Sequence, residues 1–196
     1  VRKTLGVTLE RQGEWDSEYV ALREWRSLIE ALGVLVFQMK SVHVEETRGF
    51  STFYEKLPII ALNGKDAATA RCFTLMHEVG HLLLRSGAAF DMKGRNKTEV
   101  WCNAFAGELL VPAEALMAEV VPLPHHEDWP DSTLRKLSRQ FKVSPEVVLL
   151  RLLALRRTTR AFYETWVSSQ PKVSSSGGRA DPPRQVISHS GGTFVQ

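Results

Sequence analysis

The sequence predicts an α+β fold that is mostly helical, with a small β-sheet and a helix-turn-helix-like segment near its end. Apolar residues recur at helical spacing in residues 14–31 and in most segments that follow residue 67. Two short apolar runs between them have the length and boundaries of β-strands. The hydrophobic fraction of 43% is enough for a core in a chain of 196 residues.

The first half of the chain predicts a helix, two strands and a second helix. Residues 14–31 form the first helix. The apolar runs are residues 34–40 and 58–63, and an Asn-Gly turn pair closes the second run. Residues 67–85 predict a long helix that is mostly buried, because apolar side chains occupy most of its circumference.

The second half predicts more helices, separated by polar breaks. Residues 86–97 contain glycine and few apolar side chains, so they predict a loop, and residues 122–131 predict a linker. Further helices are predicted at 99–110, 113–120, 132–141 and 145–157. The predicted division of the chain is a first domain at 1–125, a helix-turn-helix-like segment at 126–167, and a flexible tail or the start of a further C-terminal region at 168–196.

Charge and cysteine content narrow the class of protein. The net charge is +3, and no segment approaches the ~20 apolar residues of a membrane span. The first residues lack the apolar stretch of a signal peptide. Cys72 and Cys102 stand far apart with no CxxC pair, which is typical of reduced thiols. These features predict a cytoplasmic protein without a membrane partner.

The stretch TLMHEVGHLLL, residues 74–84, contains the residues best suited to catalysis. His77 and His81 share one helix face, because four residues turn about 40° beyond a full turn, and their rings can converge on one cation. Glu78 lies about 100° from His77, beside a water molecule at that cation. This HExxH pattern is typical of metal-dependent hydrolases in which the glutamate is the general base. The alternative is a pair of ordinary histidines that bond to backbone or to Glu78, and a third ligand would decide between the two.

Five downstream residues are candidates for the third ligand: Glu99, Cys102, Glu108, His125 and His126. Glu99 and Glu108 are about 180° apart on the helix predicted at 99–110, so only one of them can face a metal, and Glu108 is predicted to face solvent. A His/His/Glu site suits peptide hydrolysis better than a thiolate ligand does, which favours Glu99 over Cys102. Asn103, one turn from Glu99, is predicted to hydrogen-bond to a ligand.

These residues resemble the ImmA/IrrE family of metallo-endopeptidases. The family pattern is HExxH followed by a Glu-x-x-(Ala/Cys)-Asn-x-Phe-Ala helix that ends Leu-Leu-x-Pro, and here it reads MHEVGHLLL and EVWCNAFAGELLVP. The residues RGFS (48–51) and PIIALN (58–63) resemble the strand region that precedes the HExxH helix in the family. Cys102 occupies a position where alanine is common, though cysteine also occurs.

The resemblance implies a zincin-like metallopeptidase fold and a site for Zn²⁺, with Mn²⁺ or another divalent cation as alternatives in the cell. The implied ligands are His77, His81 and Glu99, and Glu78 is the implied general base. The implied substrate is a helix-turn-helix repressor, whose cleavage releases genes of a mobile element or of a DNA-damage response. An additional oxyanion donor is expected, and its candidates stay open: Tyr54, Arg48, His43, His125 and His126.

The segment 133–160 is strongly basic, with eight Lys or Arg residues and one acidic residue, Glu146. Its two helices and short turn resemble a helix-turn-helix, with Ser144 as N-cap and Pro145 at the first helical position. It has three interpretations: a weak DNA contact, a helical hairpin packed on the peptidase, or a docking surface for the repressor. The alternative to an endopeptidase is therefore a DNA-binding regulator with a structural metal, although a structural site has no use for a base such as Glu78.

Overall fold

The computed structural model describes residues 1–54, 56–85, 95–120 and 128–170. The helices in these ranges are α1 (Arg2–Leu5), α2 (Leu9–Gly13), α3 (Glu18–Ala31), α4 (Ala68–Arg85), α5 (Arg95–Leu110), α6 (Ala113–Val120), α7 (Asp131–Phe141), α8 (Pro145–Ala154) and α9 (Arg160–Ser169). The strands are β1 (Leu35–Met39), β2 (Gly49–Tyr54) and β3 (Leu57–Asn63). The fold is α+β and mostly helical, which confirms the predicted fold class.

The three strands form one mixed sheet in the order β1-β3-β2. β1 runs parallel to β3 and β2 runs antiparallel to it, so that Phe37 and Phe50 flank Ala61 on the outer face. On the inner face Ile60 and Leu62 are fully buried. The sequence prediction missed β2 as a separate strand, because the serine and threonine of GFSTFY interrupt its apolar pattern.

Helix α4 lies at the centre of the molecule and packs against α3, α5 and the sheet. It begins one residue after the predicted position and ends where predicted. Asp66 precedes it, accepts a hydrogen bond from the backbone N–H of Ala67 and forms a buried ion pair with Arg48. This pair joins the start of β2 to the start of α4, so that the strand and the helix keep a fixed relation.

Helix α5 begins at Arg95, four residues earlier than predicted. Residues 95–97 of the predicted loop are therefore helical, and the rest of that loop lies outside the described residues. Helix α6 has the predicted bounds and starts directly after Pro112, whose carbonyl accepts from Leu116 N. Together α4 and α5 form the most extensive helix–helix contact in the described part of the chain.

The N-terminal helices were not predicted, because α1 and α2 are too short for a periodic pattern. Residues 14–17 precede α3 rather than opening it, since Ser17 caps the helix by accepting from Val20 N. Gln12 of α2 is buried and donates to the carbonyls of Leu110 and Phe141. The N-terminal residues thereby join the end of α5 to the end of α7.

The C-terminal helices pack into the same core. Ser144 caps α8 and Pro145 is its first residue, as predicted, but α8 ends at Ala154 rather than at residue 157. Helix α9 was not predicted, and its Tyr163 hydroxyl donates to the buried Glu146 carboxylate on α8. Most of the predicted linker and of the predicted tail lies outside the described residues. In the part of the chain that is described, no helix has the length and apolar character needed to cross a bilayer.

Candidate metal centre

Helices α4 and α5 bring together the side chains of His77, His81 and Glu99. One potential ligand atom from each of them lies within 4.8 Å of the others, and no second group of this kind occurs among the described residues. The histidines are one helical turn apart on α4, so both rings leave the same face of the helix. Glu99 reaches them from the first half of α5, which packs against that face.

The distances within this cluster fit a divalent cation. His77 Nε2 and His81 Nε2 are 3.0 Å apart. Glu99 Oε2 lies 3.3 Å from His77 Nε2, and Glu99 Oε1 lies 3.5 Å from His81 Nε2. Donors at the corners of a tetrahedron, each ~2.0–2.1 Å from a zinc ion, are about 3.3 Å from one another. The three side chains therefore have the spacing and the donor chemistry of a metal ligand set.

Asn103 fixes the orientation of the first histidine. His77 Nδ1 lies 2.8 Å from Asn103 Oδ1 and donates to it. A neutral imidazole that donates from Nδ1 has its free electron pair on Nε2, which is the nitrogen that faces His81 and Glu99. The structure thus places Asn103 in the contact that the sequence predicts for it.

Charge coupling within the cluster follows from these contacts. Contacts with the His77 and His81 rings hold the pKa of Glu99 far below its ordinary range, against the effect of partial burial. The hydrogen bond that His81 donates to Glu99 raises the pKa of His81, with smaller contributions from the charges of Glu78 and Glu99. Glu99 is therefore ionised and available as an anionic ligand.

Glu78 follows His77 on α4 and is 7% exposed. It is not part of the ligand cluster, yet its charge raises the pKa of His81, so the carboxylate lies close to the cluster. The role of Glu78 beside a metal, rather than as one of its ligands, stays a prediction. A carboxylate in such a place can take up a proton from a water molecule.

The structure describes two of the other candidates for the third ligand, Cys102 and Glu108. Cys102 is fully buried, and burial raises the pKa of its thiol to about 12, with smaller effects from Glu99 and Glu78. Glu108 forms an ion pair with Arg151. Neither belongs to the cluster of potential ligands. His125 and His126 lie outside the described residues.

Arg85 is a cation near the site that sequence reasoning missed. It lies one turn beyond His81 on α4, and its charge lowers the pKa of that histidine. Its Nη1 donates to Ser51 O of β2 at 3.2 Å. The row of residues at positions i, i+4 and i+8 that starts at His77 was the signal available in the sequence.

The predicted oxyanion donors receive little support from the contacts observed. Arg48 is engaged by Asp66, and its side chain is 11% exposed. Tyr54 is 69% exposed at the end of β2. The backbone N–H of His43 donates to Glu46 Oε1. No candidate for this role is therefore selected among the described residues.

A His/His/Glu cluster on an HExxH helix, within a mostly helical α+β domain, defines the metallopeptidase class of hydrolase. The family model of Peptidase M78, described as the IrrE N-terminal-like domain, matches residues 29–153. The match covers more than half of the chain, so the chain belongs to this family, and the resemblance to ImmA/IrrE proteins is confirmed. No curated protein matches the chain. Family membership supports a metallopeptidase function that depends on a divalent metal.

Proposed function

We propose that the protein is a zinc-dependent endopeptidase that cuts one regulatory protein rather than digesting proteins in general. The observation that carries this proposal is the convergence of His77, His81 and Glu99 within 4.8 Å on helices α4 and α5. The buried Glu78 beside them supplies the group that a structural metal site would not need. Zn²⁺ is the cation that prefers this donor set, with Mn²⁺ as an alternative.

Each residue of the site has a separate role in the proposed reaction. His77, His81 and Glu99 would hold the cation, and Asn103 keeps the His77 ring in the orientation that this requires. When bound there, the cation polarises the scissile carbonyl and lowers the pKa of a water molecule toward ~7. Glu78 takes the proton of the attacking water and passes it to the amine of the leaving peptide. Because Glu78 is buried, its charge acts in a low dielectric, which strengthens its interaction with neighbouring charges.

The proposed substrate is a helix-turn-helix repressor, and its cleavage in the cytoplasm would release genes of a mobile element or of a stress response. The resemblance of the HExxH helix and of EVWCNAFAGELLVP to the ImmA/IrrE family supports this assignment. The repressor encoded by a neighbouring gene is the first substrate to assay.

The experiment that tests the endopeptidase compares Glu78→Gln with a matched control, Glu114→Gln. Glu78→Gln removes the base and leaves all three ligands, so the variant should bind metal like the wild type and lose at least about 10²-fold in cleavage rate. Glu114 is exposed at the start of α6, and its variant should cleave normally. Undiminished cleavage by Glu78→Gln would exclude the proposed mechanism.

The DNA-binding interpretation of the segment 133–160 receives less support from the packing. In a helix-turn-helix the second helix presents side chains to the major groove. Here the second helix is α8, and most of its residues are buried: Glu146, Val147, Val148, Leu149, Arg151 and Leu152. The first helix, α7, keeps an exposed basic face with Arg135, Lys136 and Arg139.

A weak DNA contact through α7 therefore remains a proposal of its own. It would be electrostatic and insensitive to base sequence, because Lys136 and Arg139 lie on the first helix, which contacts phosphates in a helix-turn-helix, whereas the second helix is mostly buried. A gel shift at rising salt tests it, with the charge-reversed double variant Lys136→Glu/Arg139→Glu as control. Binding that prefers one base sequence, or that survives the charge reversal, would contradict it.

A further inference from the structure

The HExxH helix contains a glycine at its point of contact with α5. Gly80 lies between the two histidines in the sequence, and glycine is the poorest helix former after proline. A Cβ built on Gly80 lies 3.2 Å from Cys102 Sγ, 3.3 Å from Cys102 Cα and 3.3 Å from Phe105 Cδ1. All three distances are shorter than an ordinary van der Waals contact. A side chain at position 80 therefore requires its neighbours on α5 to give way by a few tenths of an ångström.

Two of these three atoms belong to the residue of α5 that stands between Glu99 and Asn103. Cys102 is fully buried, and one of its contacts is through Cα, so the helix backbone itself approaches Gly80. The contact therefore lies between the residues that form the metal centre on both helices. A shift of α5 at Cys102 moves Glu99 and Asn103 together relative to the histidines.

We infer that the close approach of Gly80 and Cys102 sets the separation of α4 and α5 at which Glu99 reaches both histidines. The inference rests on the metal centre proposed above and assigns Gly80 as a positioning residue. Metal ligands must stand within a few tenths of an ångström of their ideal places, roughly ±0.2 Å. Van der Waals contact between a glycine and a small side chain is stiff enough to hold that tolerance, since tightly packed atoms resist compression.

The test substitutes two glycines and measures metal binding apart from catalysis. Gly80→Ala places a Cβ against Cys102 and Phe105 of α5, which must give way by a few tenths of an ångström. The control is Gly107→Ala, also on α5, where an added Cβ would lie 2.9 Å from Arg151 Cδ and so disturbs the contact with α8 instead. The dissociation constants for Zn²⁺ and Co²⁺ are measured by competition with a chelator, together with the absorption spectrum of bound Co²⁺ and thermal unfolding of the metal-free proteins.

We expect Gly80→Ala to raise both dissociation constants about tenfold or more and to change the Co²⁺ spectrum, as loss of ligand support does. Gly107→Ala should stay within about twofold of the wild type even where it lowers thermal stability, because it perturbs a distant contact. Adding Cys102→Ala to Gly80→Ala removes the nearest clashing atom and leaves the contacts with Cys102 Cα and Phe105, so affinity should recover in part toward that of Cys102→Ala alone.

Three results would overturn the inference: wild-type affinity in a folded Gly80→Ala, an equal loss of affinity in Gly107→Ala, or no recovery in the double variant. Where Gly80→Ala does not fold, Cys102→Leu makes the same test by enlarging the side chain on α5 that contacts Gly80. An unchanged dissociation constant in this variant refutes the role of Gly80 as a positioning residue. A wild-type protein that binds neither Zn²⁺ nor Co²⁺ would instead overturn the metal centre itself, so the two failures are distinguishable.

Discussion

Helix α5 carries a glutamate toward each end, and the two side chains meet different partners. Glu99 lies against the ring nitrogens of His77 and His81, whereas Glu108 pairs with Arg151. An arginine is a permanent cation, so the second pair is complete in itself. Two imidazoles and a carboxylate instead offer three electron pairs to one point. Convergence of electron-pair donors, rather than the presence of an acidic residue, marks the proposed metal centre.

The surroundings of the two glutamates strengthen the contrast. Arg151 also donates to the carbonyl of Val111, so it ties the end of α5 to α8 and stabilises the fold. The Glu99 side chain is 23% exposed, so the cluster is partly open to solvent. The two ends of one helix therefore separate a structural role from a chemical one.

The largest expected effect comes from replacing the glutamate at each end of α5 by glutamine. Glu99→Gln replaces an anionic ligand by a weak neutral one and should lower Zn²⁺ affinity more than about 100-fold, beyond what loss of an outer contact does. Glu108→Gln should change affinity less than about twofold, because it lies outside the cluster. Chelator competition measures both. Equal affinities of the two variants would remove Glu99 from the ligand set.

Replacement of Arg151 should lower the stability of the protein rather than its affinity for metal. Arg151→Met leaves the Val111 carbonyl without its donor and should lower the free energy of unfolding by about 2 kcal/mol, a usual cost for a lost buried hydrogen bond to a charged group. Zn²⁺ affinity should not change. Denaturant unfolding of the metal-free protein measures the first quantity, and His81→Gln serves as comparison, with an expected change under about 1 kcal/mol. If His81→Gln lost more unfolding free energy than Arg151→Met, the assignment of a structural role to one end of α5 and a chemical role to the other would be refuted.

The cluster of His77, His81 and Glu99 was more predictable than the contacts around it. Helical spacing alone places His77 and His81 on one face, and the pattern of α5 favours Glu99. The contact between Arg85 and Ser51 needs β2, a strand whose mixed composition hides it in the sequence. The fit of Gly80 against Cys102 is likewise invisible, because it depends on how closely two helices pack.

The fold shows the same division between local and tertiary signals. The predictions of α4 and α6 were accurate within one residue, because their patterns are long or sharply bounded. Helix α9 was not predicted, because its hydrophobic residues are positioned by their packing on α8. Thr159 begins the helix as its N-cap and accepts a hydrogen bond from Phe162 N. Short helices stabilised by tertiary packing give no periodic signal of their own.

Replacement of Asn103 should lower Zn²⁺ affinity less than replacement of Glu99 does. Asn103→Ala removes the acceptor for His77 Nδ1–H and should weaken Zn²⁺ binding about tenfold, the lower end of the range for such contacts. Asn103→Asp keeps an acceptor of similar shape and should retain most of the affinity. Chelator competition again measures both variants. If the alanine and aspartate variants bind equally, the hydrogen bond does not orient the ligand.

The smallest expected effect is a pH dependence that only one end of α5 should show. In the metal-free protein the hydrogen bond that His81 donates to Glu99 raises the pKa of His81 above its ordinary 6.5, so this stabilisation is complete below that value and is lost as the pH rises through the raised pKa. The lowered pKa of Glu99 gives stabilisation that is present above its ordinary 4.5 and lost only in strong acid. Both contributions are therefore complete between 4.5 and 6.5.

The unfolding free energy lost in Glu99→Gln should accordingly be larger at about pH 6 than at about pH 8.5, by less than about 1 kcal/mol because the groups are partly exposed. The loss in Glu108→Gln should be equal at the two pH values, since Arg151 stays charged although burial lowers its pKa. Denaturant unfolding with a chelator present measures all four differences. A pH dependence shared by both variants would show that the two glutamates act alike, and the contrast between the ends of α5 would then fail.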